Sequence, residues 1–289
     1  MLGIVFALGA MLSWAFGDFF IQRTARVIGI WKSLFFITIV GSLGLLPFVY
    51  AEVPVILQTK ENLILLGIAI VVSLVAALID FKALQQGKFA IIEPILGIEL
   101  PLTVLISVFL LGETLTFGQL CFILLVFLGL ISAVTLHRNK LHIHKNIFEK
   151  GAWLAVFAAI GMALTNVLFG VTSQQWSPLA AVWFIHTGLA LCCIGYLLST
   201  REFTTLWKDL KKYPKMIVSE SILDNLAWIC FAFATTYIPI AIATTISESY
   251  IALGVILGLV VNKEKLKKHQ KLGTFVAVSS VILLAAISG

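Results

Sequence analysis

The stretch FAIIEPILGIELPLTVLISVFLL, residues 89–111, decides the fold class of this chain. It contains no Lys or Arg, and it is long enough to cross a hydrocarbon core as a helix, which takes about 20 residues. Nine other segments share these properties. The ten segments are residues 2–22, 33–51, 62–81, 89–111, 117–136, 152–172, 178–198, 216–236, 239–261 and 272–288. The sequence therefore predicts an all-α integral membrane protein with ten transmembrane helices.

The loops between these segments alternate in positive charge. The odd-numbered loops carry 19 of the 20 Lys and Arg residues, and Lys60 is the single exception. Cytoplasmic loops of membrane proteins keep Lys and Arg, so this alternation indicates membrane insertion with the odd loops in the cytoplasm. It places both termini on the same side, outside the cytoplasm, and we expect a prokaryotic cytoplasmic (inner) membrane.

Composition excludes several other classes of protein. The chain is 60% hydrophobic and 12% charged, with a mean hydropathy of +1.06, whereas soluble domains are about a quarter charged. The net charge of +6 is spread over five loops, which fits contact with anionic headgroups and predicts no nucleic-acid partner. No Gly-rich phosphate loop and no nucleophile–base arrangement occurs, so we expect neither an ATP-driven pump nor an enzyme, and no cofactor or metal.

The two halves of the chain look like a duplication. Phe81 precedes Phe231 by 150 positions, and Glu113 precedes Glu264 by 151. This spacing defines a first repeat over residues 1–136, a cytoplasmic linker over 137–151 and a second repeat over 152–289. A repeat with five spans must insert upside down relative to its copy, which predicts two inverted five-helix repeats with a solute site between them.

The stretch from Phe81 to Ala133 resembles the signature of EamA-type drug/metabolite transporters. The resemblance rests on an aromatic-x-Ala-Leu helix end, a Pro-containing fourth helix, a Gly-Glu turn and a Gly-bearing fifth helix, together with a Trp in the first segment. The matching residues are Trp14, Phe81, Ala83, Leu84, Pro101, Gly112, Glu113 and Gly129. The resemblance implies a ten-helix transporter and leaves the solute open. It also implies cytoplasmic termini; we follow the charge bias instead, because charge acts directly on insertion.

Seven carboxylates lie inside the segments. They are Asp18, Asp80, Glu93, Glu99, Glu220, Asp224 and Glu248. Charge at the bilayer centre costs from about 3 to more than 10 kcal/mol, so such residues line wet cavities, lie near interfaces or carry a proton. By depth, Asp18, Asp80 and Glu93 are expected to form interfacial ion pairs with Arg23, Lys82 and Lys88. The deeper Glu99, Asp224 and Glu248 are the candidates for solute binding and proton coupling.

The substrate site is predicted around those three acids. Pro101 follows Gly97 by four residues, so a helix break that frees the Gly97 carbonyl is expected beside Glu99. In segment 8, Glu220, Asp224 and Trp228 share one helix face. The predicted substrate-binding residues are Trp14, Glu99, Trp183, His186, Asp224, Asn225, Trp228, Glu248 and Tyr250.

Carboxylates and aromatic rings without opposing Lys or Arg suit a cation. The sequence therefore predicts a secondary transporter for a small polar, cationic or zwitterionic organic metabolite, acting by alternating access with a possible proton coupling. An amino-acid or sugar transporter of the same fold stays open, as does a passive channel or a lipid-handling membrane protein. The expected partners are the solute and the lipid bilayer, and the protein is expected to be a monomer or homodimer.

Overall fold

The computed structural model describes residues 1–87, 89–134, 151–253 and 268–288. Within these ranges the chain forms helices joined by short turns. The helices are α1 (Leu2–Ile28), α2 (Ile30–Val49), α3 (Val53–Ile56), α4 (Lys60–Gln86), α5 (Phe89–Leu96), α6 (Glu99–Phe109), α7 (Phe117–Val134), α8 (Ala152–Gln175), α9 (Pro178–Ser199), α10 (Leu206–Lys212), α11 (Pro214–Tyr237), α12 (Ile240–Ser247) and α13 (Lys268–Ser288). The all-α prediction is confirmed for these residues.

Within the described ranges, seven helices are long and apolar enough to cross a membrane: α1, α2, α4, α8, α9, α11 and α13. Three shorter apolar helical stretches, Glu99–Phe109, Phe117–Ser132 and Ile240–Leu253, fall within the other predicted segments. Seven of the ten predicted segments are therefore candidate membrane spans, and the count of ten stays a prediction. The end of the ninth segment lies outside the described residues, as do the linker at 137–150 and Glu264.

The fourth predicted segment is broken into α5 and α6, as Gly97 and Pro101 predict. The chain turns at Gly97 and Ile98, and Pro101 lies in the first turn of α6, where its missing N–H is not needed. The prediction that the Gly97 carbonyl is left without a partner is wrong, because the Leu100 N–H donates to this oxygen at 3.3 Å. A tight i→i+3 bond thus closes the break and leaves Glu99 as the first residue of α6.

A second break interrupts the ninth segment, which contains no proline at that point. Helix α12 ends at Ser247, the chain turns at Glu248 and Ser249, and helix resumes at Tyr250. The Ser247 and Ser249 hydroxyls donate to the backbone carbonyls of Ala243 and Thr245, each at 2.7 Å. Such side-chain bonds compete with helical geometry and bend helices. Both breaks place a carboxylate at the centre of the bundle.

The main helix pairs join one half of the chain to the other. Helix α1 packs chiefly against α11, α4 against α8, α2 against α9 and α7 against α13. If the halves are copies, α1 corresponds to α8 and α4 to α11, so the first two pairs are the same contact seen twice. This exchange is what a two-fold relation between the halves produces, and it favours the predicted inverted repeat.

A side-chain bond also recurs at opposite ends of the bundle. The Gln22 amide donates to the Leu84 carbonyl oxygen at 3.1 Å, beside the basic loops. The Gln174 amide donates to the Thr235 carbonyl oxygen at 2.7 Å, at the other end. The donors are 152 residues apart and the acceptors 151, which matches the spacing of the sequence repeat.

The Glu113 carboxylate ties the first half to the broken helix of the second. It accepts the backbone N–H groups of Ile240 at 2.6 Å and Ala241 at 3.0 Å. These are the first residues of α12, whose N–H groups have no partner inside the helix. A negative charge there also complements the helix dipole. Glu113 therefore fixes where α12 begins, and with it the position of Glu248.

A short helix, α10, lies at the basic end of the bundle, between α9 and α11. Helix α10 exposes Trp207 and places the Lys211 ammonium 5.1 Å from the centre of its ring. The Lys32 ammonium pairs with the carboxylates of Asp209 at 3.0 Å and Glu202 at 3.4 Å. This segment is thus held against α2 by ion pairs on the side of the membrane that carries the basic loops.

The membrane orientation is open to a direct test. We expect a reporter that is active only in the cytoplasm to be inactive when fused to the C-terminus and active when inserted between Thr205 and Leu206. The reason is that the loop joining α9 to α11 carries five of the basic residues, whereas the terminus carries none. The opposite pattern of reporter activity would show that the family expectation overrides the charge bias.

Candidate functional site

A polar cavity lies between the two halves of the bundle. It has a volume of about 80 Å³ and is lined by α1, α2, α4, α6, α8, α9 and α11, by Leu96 at the end of α5, and by the turn after α12. Along α1, α2 and α4 the lining side chains come mainly from the half of each helix nearer the basic loops. Along α8 and α9 they come mainly from the middle and from the half farther from those loops, so the cavity lies near the middle of the bundle.

Five carboxyl groups line this cavity. They are Asp18, Asp80, Glu99, Asp224 and Glu248. Among the residues that the structure describes, no Lys or Arg lines it, and one oxygen of Asp80 is buried without a hydrogen-bond partner. Several uncompensated carboxylates cannot stay ionised together in a site shielded from water. The cavity must therefore hold cations, protons or both.

Glu99 and Glu248 meet at the centre, each beside one of the two helix breaks. Their carboxyl groups lie within hydrogen-bonding reach of each other, and the Asn166 amide donates to Glu99 Oε1 at 3.2 Å. Two adjacent carboxylates repel, so the pair shares a proton unless a cation neutralises it. Glu99 belongs to the first half of the chain and Glu248 to the second. Binding of a proton or a cation to this pair therefore changes the electrostatic interactions of both halves.

Tyr250 adds a hydroxyl to the same acidic surface. Its Oη donates to Glu93 Oε2 at 2.7 Å, and it also lies within reach of Asp18. Both Glu93 and Tyr250 are buried, at 4% and 7% exposure. The hydroxyl thus ties an acid of α5 to the residue immediately after the second helix break.

Aromatic rings form another part of the wall. The Trp14 ring meets the edge of Trp228 with 5.2 Å between centroids, and Phe169 stacks on Trp228 at 4.1 Å. All three residues line the cavity, and Trp14 and Trp228 come from different halves of the chain. Aromatic faces attract ammonium groups by about 0.5–2 kcal/mol. The wall can therefore hold the apolar shell of an organic cation beside the carboxyl groups.

His186 is held in one orientation by Asn225. The Asn225 amide donates to the carbonyl oxygens of Ile37 at 2.8 Å and Ser221 at 2.7 Å, so its Oδ1 faces His186 Nδ1 at 3.0 Å. Since Oδ1 only accepts, Nδ1 carries the hydrogen. A Cβ at Gly41 would lie 2.1 Å from Oδ1 and 2.5 Å from Nδ1, so the absence of a side chain there makes room for the pair.

Most of the predicted site residues meet in this cavity. Trp14, Glu99, His186, Asp224, Trp228, Glu248 and Tyr250 line it. Asn225 lies behind His186. Trp183 lies outside the lining, where its indole N–H donates to the Ser42 carbonyl oxygen at 2.9 Å and its ring packs on Phe184. Binding of a solute by these residues stays a prediction.

The expected interfacial ion pairs of Asp18 and Asp80 are wrong. Both side chains line the cavity, and within the described ranges neither pairs with Arg23 or Lys82. The Arg23 guanidinium lies over the Phe19 ring at 3.8 Å, and the Lys82 ammonium donates to Gln85. Glu93 binds Tyr250 instead; its expected partner Lys88 lies outside the described residues.

Four further polar side chains complete the lining, and the sequence alone did not predict them. They are Thr38, Ser73, Thr165 and Asn166. Asn166 was detectable in principle, since an amide in the middle of an apolar segment needs a partner inside the bundle. The sequence could not show that this partner is Glu99.

Comparisons with known proteins agree with this architecture. The model of the EamA-like transporter family matches twice, over residues 1–135 and 149–286. No curated protein matches the chain. Among 28 matching chains of solved structures, one, described only as a crystal structure of a protein, is 15% identical with a TM-score of 0.72 and covers 99% of this chain and 97% of its own. That likeness shows the fold alone. Because the family model covers nearly the whole chain in two repeats, this multi-pass membrane protein belongs to the EamA-like transporter family.

Proposed function

We propose that this protein is a secondary transporter for small organic cations and zwitterions. The observation that carries the proposal is the cavity itself, which combines five carboxyl groups with Trp14, Phe169 and Trp228 and has no Lys or Arg among its described lining residues. A cation neutralises acids that would otherwise be buried without a partner. A phosphate or other anion would add to their repulsion.

The two helix breaks support transport by alternating access. They lie at corresponding positions of the two repeats, after Leu96 and after Ser247, and irregular backbone at membrane depth is tolerated where it lines a cavity. A solute bound between Glu99 and Glu248 contacts both halves, so movement of one half against the other can open the cavity to either side. We place the protein in a prokaryotic cytoplasmic membrane, as a monomer or homodimer, with protons as the coupling ion.

The charge preference is testable with four probes of similar bulk: tetramethylammonium, trimethylglycine, tert-butanol and pivalate. We expect the cation to bind at least about 30-fold more tightly than the neutral alcohol, because leaving buried charges unpaired costs about 2 kcal/mol or more. Trimethylglycine should bind with intermediate affinity and pivalate should not bind. Isothermal calorimetry on the detergent-solubilised protein would measure all four.

The same preference predicts a pH dependence of binding. Lower pH protonates carboxylates and removes the negative charge that a cation requires, so the affinity for tetramethylammonium should fall between pH 8 and pH 5, roughly the interval in which buried carboxyl groups titrate. Binding of tert-butanol should not change. Equal affinities for the cation and the alcohol, flat across this interval, would contradict charge pairing and favour a sugar or amino-acid transporter that uses the acids as hydrogen-bond partners.

A further inference from the structure

Glu220 is a fully buried acid that lies outside the cavity lining. Its exposed fraction is 0%, as are those of Thr24 and Ser33. The Ser33 hydroxyl donates to Glu220 Oε2 at 2.9 Å. The Thr24 hydroxyl faces the same carboxyl group, yet neither Glu220 Oε1 nor Thr24 Oγ1 has a hydrogen-bond partner among the described residues. The contact of α1, α2 and α11 therefore holds a fully buried carboxyl group with one unpartnered oxygen.

Among the residues that the structure describes, no Lys or Arg pairs with this carboxyl group. Lys32 is adjacent to Ser33 in sequence, but its ammonium pairs with Asp209 and Glu202. Arg23 is adjacent to Thr24, and its guanidinium lies over Phe19.

The titratable side chains on the other neighbouring helices do not neutralise Glu220 either. Asp224, one turn further along α11, is another acid that acts on Glu220 electrostatically. On α9, His186 is bound to Asn225, and Glu248 after α12 faces Glu99. Helix α8 carries no ionisable side chain. An ionised Glu220 would therefore be an unpaired buried charge.

One proton resolves both features. A protonated Glu220 is neutral, so it needs no cation, and the O–H on Oε1 makes that oxygen a donor instead of an unpaired acceptor, while Oε2 keeps the bond from Ser33. A hard metal ion would require about six oxygen ligands, and the described residues supply three side chains here. The chemistry of this pocket is that of a proton site.

The position of the site suggests what the proton does. Thr24 and Ser33 belong to the first half of the chain, and Glu220 belongs to the second. When the halves move against each other, the carboxyl group loses its hydroxyl partners and meets water from the basic side. Its proton then passes to water, and the carboxylate left behind is hydrated. Repacking of the three helices requires the proton to return.

We propose that Glu220, with Thr24 and Ser33, is a proton-binding site that couples proton movement to the conformational cycle, separate from the substrate cavity. The coupling part of this proposal rests on the proposed transport function. The protonation itself is a property of the protein without solute.

Infrared difference spectroscopy of the solute-free protein tests the protonation. We expect one carbonyl stretching band among those of the protonated carboxylic acids to be lost in Glu220→Gln and kept in Glu52→Gln, while the bands of the cavity acids remain in both variants. Glu52 is a matched control because it also accepts a serine hydroxyl, from Ser177 at 3.0 Å, at the other end of the bundle. An unchanged band in Glu220→Gln, or removal of the wild-type band by NaCl at constant pH, would overturn the proposal.

A second variant keeps the acid in place in case Glu220→Gln does not fold. Ser33→Ala removes one donor to the carboxylate, so ionisation becomes harder and the band should persist to higher pH than in the wild type. A titration of this band that is identical in the two proteins would also overturn the assignment.

Proteoliposomes test the coupling. With tetramethylammonium as probe, Glu220→Gln should exchange the cation across the membrane at the wild-type rate but lose accumulation driven by a pH gradient, whereas Glu52→Gln should keep both. Gradient-driven accumulation by Glu220→Gln would disprove coupling through this residue. Absence of tetramethylammonium binding to the wild type would instead contradict the proposed function, and the infrared result would still decide whether Glu220 holds a proton.

Discussion

Glu99→Gln should lower the affinity for the tightest-binding probe of the charge series by at least about 30-fold and abolish its transport. The substitution keeps the shape of the side chain and the contact with Asn166, but it removes the charge at the point where the two halves meet. Loss of one partner from a buried charge pair costs about 2–5 kcal/mol, and the fold should not suffer, because the Glu99–Glu248 repulsion also disappears.

The measurement is calorimetric affinity together with uptake into proteoliposomes, on protein that elutes as a single symmetrical peak. Glu61→Gln makes the same chemical change at an exposed position in the first turn of α4 and should behave as the wild type. Wild-type affinity and uptake by well-folded Glu99→Gln protein would remove Glu99 from the site.

Gly129→Val should prevent stable assembly of the bundle. A Cβ at this position would lie 2.7 Å from the Ala277 backbone nitrogen and 2.9 Å from the Gly273 carbonyl oxygen. Both obstacles are backbone atoms, so α7 and α13 must move apart as whole helices. Overpacking costs about 1–3 kcal/mol even where side chains can adjust, and here they cannot.

Gly44→Val provides the matched control, because Gly44 also lies in a helix but has nothing within 4 Å of the added Cβ. We expect a lower melting temperature, or no monodisperse protein, for Gly129→Val only. Equal melting temperatures of the two variants would show that the contact between α7 and α13 is looser than the structure has it.

The sequence predicted the class of fold because hydropathy and loop charge act on each segment separately. It misjudged Asp18 and Asp80 because their helices are longer than the apolar stretches that identified them. Helix α1 continues to Ile28 rather than ending near residue 22, and α4 continues to Gln86. Both acids therefore lie deeper in the bundle than the hydropathy boundary indicated, and the nearby Arg23 and Lys82 lie between them and the basic end.

Features that depend on contacts between residues far apart in the sequence could not be predicted from the sequence. The break at Gly97 was predictable, since Pro101 acts on its own helix. The break at Glu248 has no proline to mark it in the sequence, and the hydroxyls of Ser247 and Ser249 could equally have faced another helix. The contacts of Asn166 with Glu99 and of Glu113 with Ile240 join residues more than sixty positions apart, and one sequence contains no information on such distances.

The exchange of helices between the halves has a consequence for how the protein is made. Helices α1, α2, α4 and α7 each find their chief neighbour in the second half, so they are inserted before that neighbour has been synthesised. Until then, the second-half helices that complete the cavity around Asp18, Asp80 and Glu99 are absent. These carboxyl groups must therefore stay protonated or remain in contact with water. Neither repeat is therefore a unit of assembly, and the nascent first half must be tolerated by the membrane until the second half completes it.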